Sequence, residues 1–398
     1  MRDRRRARSG AKVLAGAWLV ALAACSSGGA GSSAGSGGAG GDRNAATGGV
    51  ANDAASDSGG GAEAAGDAGT PITAAAGQWT WVSFPDAHCA SGSTVGIGIN
   101  PGQANARVLI YLEGGGACWT ETTCYVLQTA ANFNTGYSAT TFALEAANPA
   151  YLAQPGGFFD RTASSNPFKD ASYVYVPYCT GDLHAGNNVM QYGTHTAMHV
   201  GAQNVTAYLR RLVPTFQGTD RVYLAGSSAG GYGALINWWR VQQAFGGVRV
   251  DMIDDSGTPM PPDIVAVGNG AEPMWRTAWN LGAALPPDCA ACATRLDGLL
   301  GYYAQTFPQQ RGALLSYAKD TTLPNYLGIT GAQFTTGLDE EVATNLAPSM
   351  NLRSFIVGAA GHVLWFAQPP PPSQQFGMLQ TFLQLMTTDA PGWASVQP

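Results

Sequence analysis

The pentapeptide Gly-Ser-Ser-Ala-Gly occurs twice in this chain, and its two surroundings impose opposite constraints on folding. Residues 31–35 carry it inside a tract of Gly, Ser and Ala with no apolar run on either side. Residues 226–230 carry it directly after Arg221-Val222-Tyr223-Leu224-Ala225, which reads as a short buried strand. An apolar, Trp-containing stretch of helical character, residues 232–245, comes after that second copy. A strand, a Gly-x-Ser-x-Gly turn and a helix form a nucleophile elbow, whose central serine is held in a strained backbone conformation. Small residues two positions to each side let strand and helix approach, and Gly226, Gly230 and Gly231 supply them. The first copy has linker composition; the second makes Ser228 a candidate nucleophile.

The elbow strand has company. Residues 107–112 read as a fully buried strand ending at Glu113-Gly114-Gly115-Gly116, and residues 171–176, 248–253, 313–318 and 352–357 read as further strands. Residues 195–212 have helical spacing. Strands alternating with helices predict an α/β fold, a mostly parallel central sheet flanked by helices on both faces. Functional loops then cluster at the carboxyl ends of the strands.

A serine nucleophile needs a base to take its proton and an acid to orient that base. In α/β-hydrolases these come in the order Ser, Asp or Glu, His. His362 is the only histidine after Ser228, and it comes shortly after the last predicted strand. Asp320 directly follows a predicted strand and suits the order best, with Asp255 and Asp254 as competitors. The alternative role for Asp254 and Asp255 is to hold a turn by bonding backbone amides. Aimed backbone N–H groups stabilise a tetrahedral oxyanion. Ala229, next after the nucleophile, and Gly115 and Gly116 in the glycine loop are the candidates.

The ends of the chain bear on location. Arg2, Arg4, Arg5, Arg6, Arg8 and Lys12 precede an apolar run over residues 13–24. That run is too short for a mature transmembrane helix and reads as a secretory signal. It ends in Leu22-Ala23-Ala24-Cys25, which resembles a bacterial lipobox with Cys25 as the lipidated residue. Residues 1–25 are therefore expected to be a lipoprotein signal peptide, and residues 26–77, almost without large apolar side chains, a disordered tether. Residues 78–398 remain as a single large domain. Losing the leader's six basic residues and Asp3 takes the formal net charge from −6 to −11. So acidic a chain is not suited to nucleic acid or to an anionic membrane surface, which leaves the lipid anchor as its only expected membrane contact. The expected location is the cell envelope or surface of a bacterium. Cys89, Cys118, Cys124, Cys179, Cys289 and Cys292 are an even set in an exported chain, hence candidates for up to three disulfides in any of 15 pairings. The Cys289–Cys292 spacing also fits zinc or redox chemistry, but no second cysteine pair or histidine lies near it, which favours a structural bridge.

Taken together, the motifs resemble a known family. Tyr111-Leu112-Glu113-Gly114-Gly115-Gly116-Ala117-Cys118 is similar to the Leu-Glu-Gly-Gly-Gly-Trp-Cys signature of pectin acetylesterases and the Notum-type carboxylesterases. Val176-Pro177-Tyr178-Cys179-Thr180-Gly181-Asp182, the elbow itself and Asp255-Ser256-Gly257 match further family motifs. The resemblance runs from about Trp81 to Trp365. It implies an α/β-hydrolase-like fold, a Ser-Asp-His triad in which the acid falls on Asp320 and the base on His362, and no metal or other cofactor. The implied activity is hydrolysis of acyl esters, acetyl foremost, on a polysaccharide such as pectin or on another ester substrate. Ala117 departs from the family by replacing an aromatic residue, which alters one wall near the glycine loop.

Two rival readings come from other residues. His195-Thr196-Ala197-Met198-His199 resembles the metal motif of zinc-dependent polysaccharide deacetylases, with two histidines one helical turn apart. That family needs an Asp pair earlier in the chain, whereas Asp254-Asp255 comes later. Trp119, Trp238, Trp239, Trp275, Trp279 and Trp365 could alternatively stack on sugar rings in a catalytically silent surface glycan-binding protein. Tryptophans of an α/β domain belong more often to the core.

Overall fold

The computed structural model describes residues 69–103, 107–366 and 373–398. The leader, Cys25 and nearly all of the 26–77 tract lie outside them. Among the described residues the strands are, in chain order, β1 (Thr80–His88), β2 (Thr94–Asn100), β3 (Arg107–Leu112), β4 (Ser172–Val176), β5 (Asn188–Tyr192), β6 (His195–His199), β7 (Arg221–Ser227), β8 (Arg249–Asp255), β9 (Gly312–Asp320) and β10 (Leu352–Gly361). Eight of them form one sheet in the order β1-β2-β4-β3-β7-β8-β9-β10. The run β4-β3-β7-β8-β9-β10 is parallel throughout, and β2 joins it antiparallel, with β1 antiparallel on β2. This is an α/β-hydrolase-like sheet. Strands covered on both faces should be apolar without alternation. Accordingly β4 and β7 are buried at every position, and β3 at every position after Arg107.

The helices lie on the two faces. α1 spans Ala139–Ala146, α2 Gly201–Thr215 and α3 Ala229–Phe245. On α2, Val205, Tyr208, Leu209 and Leu212 are buried at helical spacing, and Tyr208 meets Phe84 of β1 edge-to-face at 4.9 Å. α3 is buried along most of its length, and its Trp238 donates its indole N–H to the Val250 carbonyl at 2.8 Å. The chain packs before residue 78: Ile72 is buried, its N–H donates to Thr215 Oγ1 at 2.7 Å, and Arg211 reaches the Thr70 carbonyl.

The helix expected over residues 195–212 is corrected. Its first part is β6, the second arm of a hairpin with β5, and the helix starts only at Gly201. Residues 195–199 run from exposed His195 and Thr196 to buried Ala197 and His199. The Asp182 carboxylate accepts the N–H groups of Gly186 (3.1 Å) and Gly201 (2.8 Å), which fixes where the helix begins. The helix therefore occupies Gly201–Thr215, and the helical spacing of residues 195–199 is not realised.

All six candidate cysteines are paired, as Cys89–Cys179, Cys118–Cys124 and Cys289–Cys292. The first closes a 90-residue separation, the others 6 and 3. On a chain-entropy account, closing the long loop stabilises by about 4.6 kcal/mol and closing the six-residue loop by about 2 kcal/mol. Replacing Cys89 and Cys179 together by Ala is expected to lower the urea midpoint clearly more than replacing Cys118 and Cys124, as read from paired denaturation curves.

Candidate active site

The site is assembled where β3, β7, β8, β9 and β10 end. β7 stops at Ser227, and Ser228 turns the chain into α3 with φ 57° and ψ −117°. A non-glycine residue at positive φ is strained, and such strain persists only where its surroundings hold it. Here the Ser228 N–H donates to the Asp255 carbonyl at 2.7 Å. Gly230 shows why the turn needs small residues: a Cβ there would lie 2.8 Å from the Glu113 carbonyl oxygen and closer still to that of Leu112.

Two partners reach Ser228 from the far end of the sheet. β9 and β10 pair in parallel, with an irregularity between Val357 and Ala360 after which Gly361 lies opposite Asp320. His362, next in the chain, therefore comes to rest against the Asp320 side chain. Its Nδ1 lies 2.7 Å from Asp320 Oδ2 and its Nε2 2.8 Å from Ser228 Oγ. The carboxylate accepts, so Nδ1 carries the proton and Nε2 is left to accept the serine hydroxyl's. Asp320 is buried, and its other oxygen accepts the N–H groups of Thr322 (2.7 Å) and Leu323 (2.8 Å). Such an arrangement can move a proton from the serine to the imidazole while the carboxylate holds the ring.

Asp255, the competing candidate, does not touch His362. Its carboxylate accepts the N–H groups of Leu364 (2.9 Å) and Trp365 (2.8 Å) and the hydroxyls of Ser227 (2.8 Å) and Ser256 (3.0 Å). It fastens the histidine loop to the elbow. The sequence offered Asp255 as a competing acid with turn-holding as its alternative role, and nothing local in it pointed to a turn more than 100 positions away.

The glycine loop faces the elbow. Gly115 and Gly116 have φ of 147° and 77°, and a Cβ on Gly116 would strike the Thr129 carbonyl and the Tyr326 hydroxyl. Its root is pinned by Glu113, whose side chain accepts the Tyr178 N–H at 2.7 Å and whose carbonyl accepts His184 Nε2–H at 2.8 Å. Ala229 is the first residue of α3, where a backbone N–H has no acceptor within the helix. Gly116, Ser228 and Ala229 line one small cleft, completed by Leu183, Tyr232, Trp275 and Tyr326 among others. Gly115 sits one residue behind, against Ala131 and Tyr178. Tyr326 carries no sequence signal of a role here, and Trp275 entered only as a sugar-stacking candidate; they arrive from two short helices, Ala271–Ala278 and Leu323–Leu327, far along the chain.

The other candidates lie elsewhere. His199 is buried, with Nδ1 donating to the Thr180 carbonyl at 2.9 Å and Nε2 meeting the Tyr192 hydroxyl at 3.1 Å. His195 is exposed and stacks on Tyr125 at 4.1 Å. Four residues along a strand separate the two by about 13 Å, not by one helical turn, so the shared metal position that the rival reading needs does not form. Trp119, Trp238, Trp275, Trp279 and Trp365 are buried and Trp239 partly so, which places them in the core, and of these Trp275 also lines the cleft beside Ser228.

Burial displaces several titrations. His184 and His199 are held near 4 by desolvation, which keeps both neutral. Asp254 is pushed up to about 8, chiefly by burial, with the Gly257 N–H opposing and the nearby Asp255 adding to the rise. One of its oxygens accepts that N–H at 2.7 Å, and the other has no partner among the described residues. A raised carboxyl pKa means that the folded state holds the proton after the unfolded chain has released it. Stability from this group is thus lost as pH rises from about 4 to about 8. Asp254→Asn should therefore be close to neutral at pH 4, gain on the wild type across that window and level off above it, as measured by chemical denaturation.

Comparison with known proteins adds the family. Residues 76–310 match the pectinacetylesterase profile, a stretch that contains the glycine loop and Ser228 and stops before Asp320 and His362. The palmitoleoyl-protein carboxylesterase notum2 of Xenopus laevis is 31% identical over 155 residues, covering 38% of this chain and 30% of that protein. Human palmitoleoyl-protein carboxylesterase NOTUM is 26% identical over 176 residues, covering 42% and 34%. The NOTUM protein of Drosophila melanogaster is 22% identical over 218 residues, covering 50% and 31%. The chain thus spans about a third of the length of the curated relatives it matches. With a profile match that takes in more than half of its residues and the elbow and glycine loop within it, the chain belongs to the pectinacetylesterase family.

Proposed function

We propose that this chain is an exported, lipid-anchored serine carboxylesterase that removes short acyl groups, acetate foremost, from an acylated carbohydrate such as pectin. The observation that carries the reading is the hydrogen-bonded line from Ser228 Oγ through His362 to Asp320, at 2.8 and 2.7 Å. Ser228 attacks the ester carbonyl while His362 Nε2 takes its proton. The oxyanion that forms is held by the N–H groups of Ala229, Gly116 and Gly115. His362 then protonates the leaving alcohol, and water releases the acyl group by the same route in reverse. Asp320 orients the ring and stabilises its cation.

Two further observations support the parts of the reading that concern substrate and location. The cleft beside Ser228 holds only about 20 Å³ for a water-sized occupant, roughly the room of one water and suited to a methyl group. The three disulfides fit an oxidising compartment, and the basic-apolar-Cys25 leader fits export with lipidation.

The test is acetate release from acetylated pectin, xylan and chitin and from p-nitrophenyl acetate, by the wild type and by Ser228→Ala. The variant should lose roughly 10⁶ in kcat with its melting temperature kept. Full turnover by Ser228→Ala would sink the mechanism. Turnover of p-nitrophenyl acetate alone would move the substrate away from these glycans. Asp320→Asn should cost about 10⁴ in kcat, because the ring would lose its tautomer. Asp255→Asn should cost on the order of 10², through misplacement of the histidine loop.

A further inference from the structure

We infer that Leu327 is a partition that sets the acyl-chain length, an inference that rests on the esterase reading above. Two clefts meet at this side chain. One is the cleft beside Ser228, with Trp275, Leu323, Tyr326 and Leu327 forming its inner wall. Adjoining it, a second, mainly apolar cleft is lined by Met260, Ile264, Val265, Ala271, Ile329 and again Leu327, with about 10 Å³ for a water-sized occupant; its one ionisable lining residue, Glu272, is paired with Arg276 at 2.8 Å. Leu327 is the residue common to both, and it is buried.

The rest of the wall is held in place. The Tyr326 hydroxyl donates to the Thr129 carbonyl at 2.7 Å, so swinging that ring aside breaks a bond. Trp275 stacks on Trp279 at 5.2 Å and 13°. Leu323 is anchored by its own N–H on Asp320. Leu327 ends the one-turn helix Leu323–Leu327 and is followed by Gly328 at φ 66°. Its backbone carbonyl accepts the Asn269 N–H at 3.0 Å, and its side chain belongs to the hydrophobic core. Removing that side chain to Cβ leaves the triad and the glycine loop untouched and joins the two clefts into one channel leading from Ser228 toward Ile264. An unbranched acyl chain of four to six carbons would lie along it.

The experiment is the ratio of kcat/KM for p-nitrophenyl butyrate and hexanoate to that for the acetate, in the full chain. The wild type should fall steeply beyond acetate. Each methylene newly buried is worth about fourfold, so burying the two extra methylenes of butyrate in Leu327→Ala should raise the butyrate-to-acetate ratio by about fifteenfold. Ile264→Ala enlarges only the second cleft and should leave the profile unchanged, whereas the double variant should extend it to hexanoate. Leu327→Val, a smaller truncation expected to fold if Leu327→Ala does not, should shift the ratio by a few-fold. An unchanged ratio in a folded, acetate-cleaving Leu327 variant would overturn the partition. So would a shift produced by Ile264→Ala alone, since the clefts would already be joined. Loss of Ser228-dependent turnover of every ester in the wild type would instead overturn the esterase reading, and the partition with it.

Discussion

Everything at this site hangs on one buried carboxylate that takes no direct part in the Ser-His-Asp line. Asp255 ends β8, accepts the Ser228 N–H on its carbonyl and collects two backbone amides of the His362 loop and two serine hydroxyls on its side chain. The strained serine and the histidine loop are thus tied to the same residue. Burial pushes the Asp255 carboxyl up, while the amides and hydroxyls pull it back. A carboxylate in so dry a place needs such donors, because an unpaired buried charge is far more costly than a paired one.

The same device recurs around the glycine loop. Glu113 sits at its root, buried, with the Tyr178 N–H and the Tyr151 hydroxyl on its carboxyl group. Tyr151, Tyr175, Tyr137 and Glu145 continue a chain of side-chain hydrogen bonds outward toward α1. Burial, and the nearby Glu145, raise the Glu113 pKa well above the usual range, which favours its protonated form. His184, kept neutral by burial, donates to the Glu113 carbonyl from the other side. The backbone that would receive an oxyanion is therefore positioned by neutral, satisfied groups that compete little with it for charge.

Several elements are plain from the chain alone. The strand over 107–112, the turn at 226–230 and the strand leading into it are short-range features, since covered strands read as apolar runs and a tight turn excludes side chains. The sole downstream histidine is equally plain. Where local pattern misleads, a longer-range term wins. Residues 195–199 share a helical spacing with residues 200–212, yet they pair with 188–192, and a carboxylate at Asp182 sets the helix start. The antiparallel pair β1 and β2 escapes a sequence reading, because β1 is an edge strand with exposed positions and β2, though buried, has its apolar run broken by Gly96 and Gly98.

What the sequence by itself determined is the local chemistry: a serine on a strained turn, glycines that admit close backbone approach, and the chain order of the polar groups. Sterics and strand propensity act over a few residues, so they are written in a few residues. What only the tertiary structure decided is which aspartate meets His362, which cysteines pair, and how much room remains beside Ser228. The first comes from the register that sets Gly361 opposite Asp320, and the last from side chains such as Trp275 and Leu327 brought in from different helices. Register and packing are long-range properties, fixed only when all the strands and helices have been set against one another.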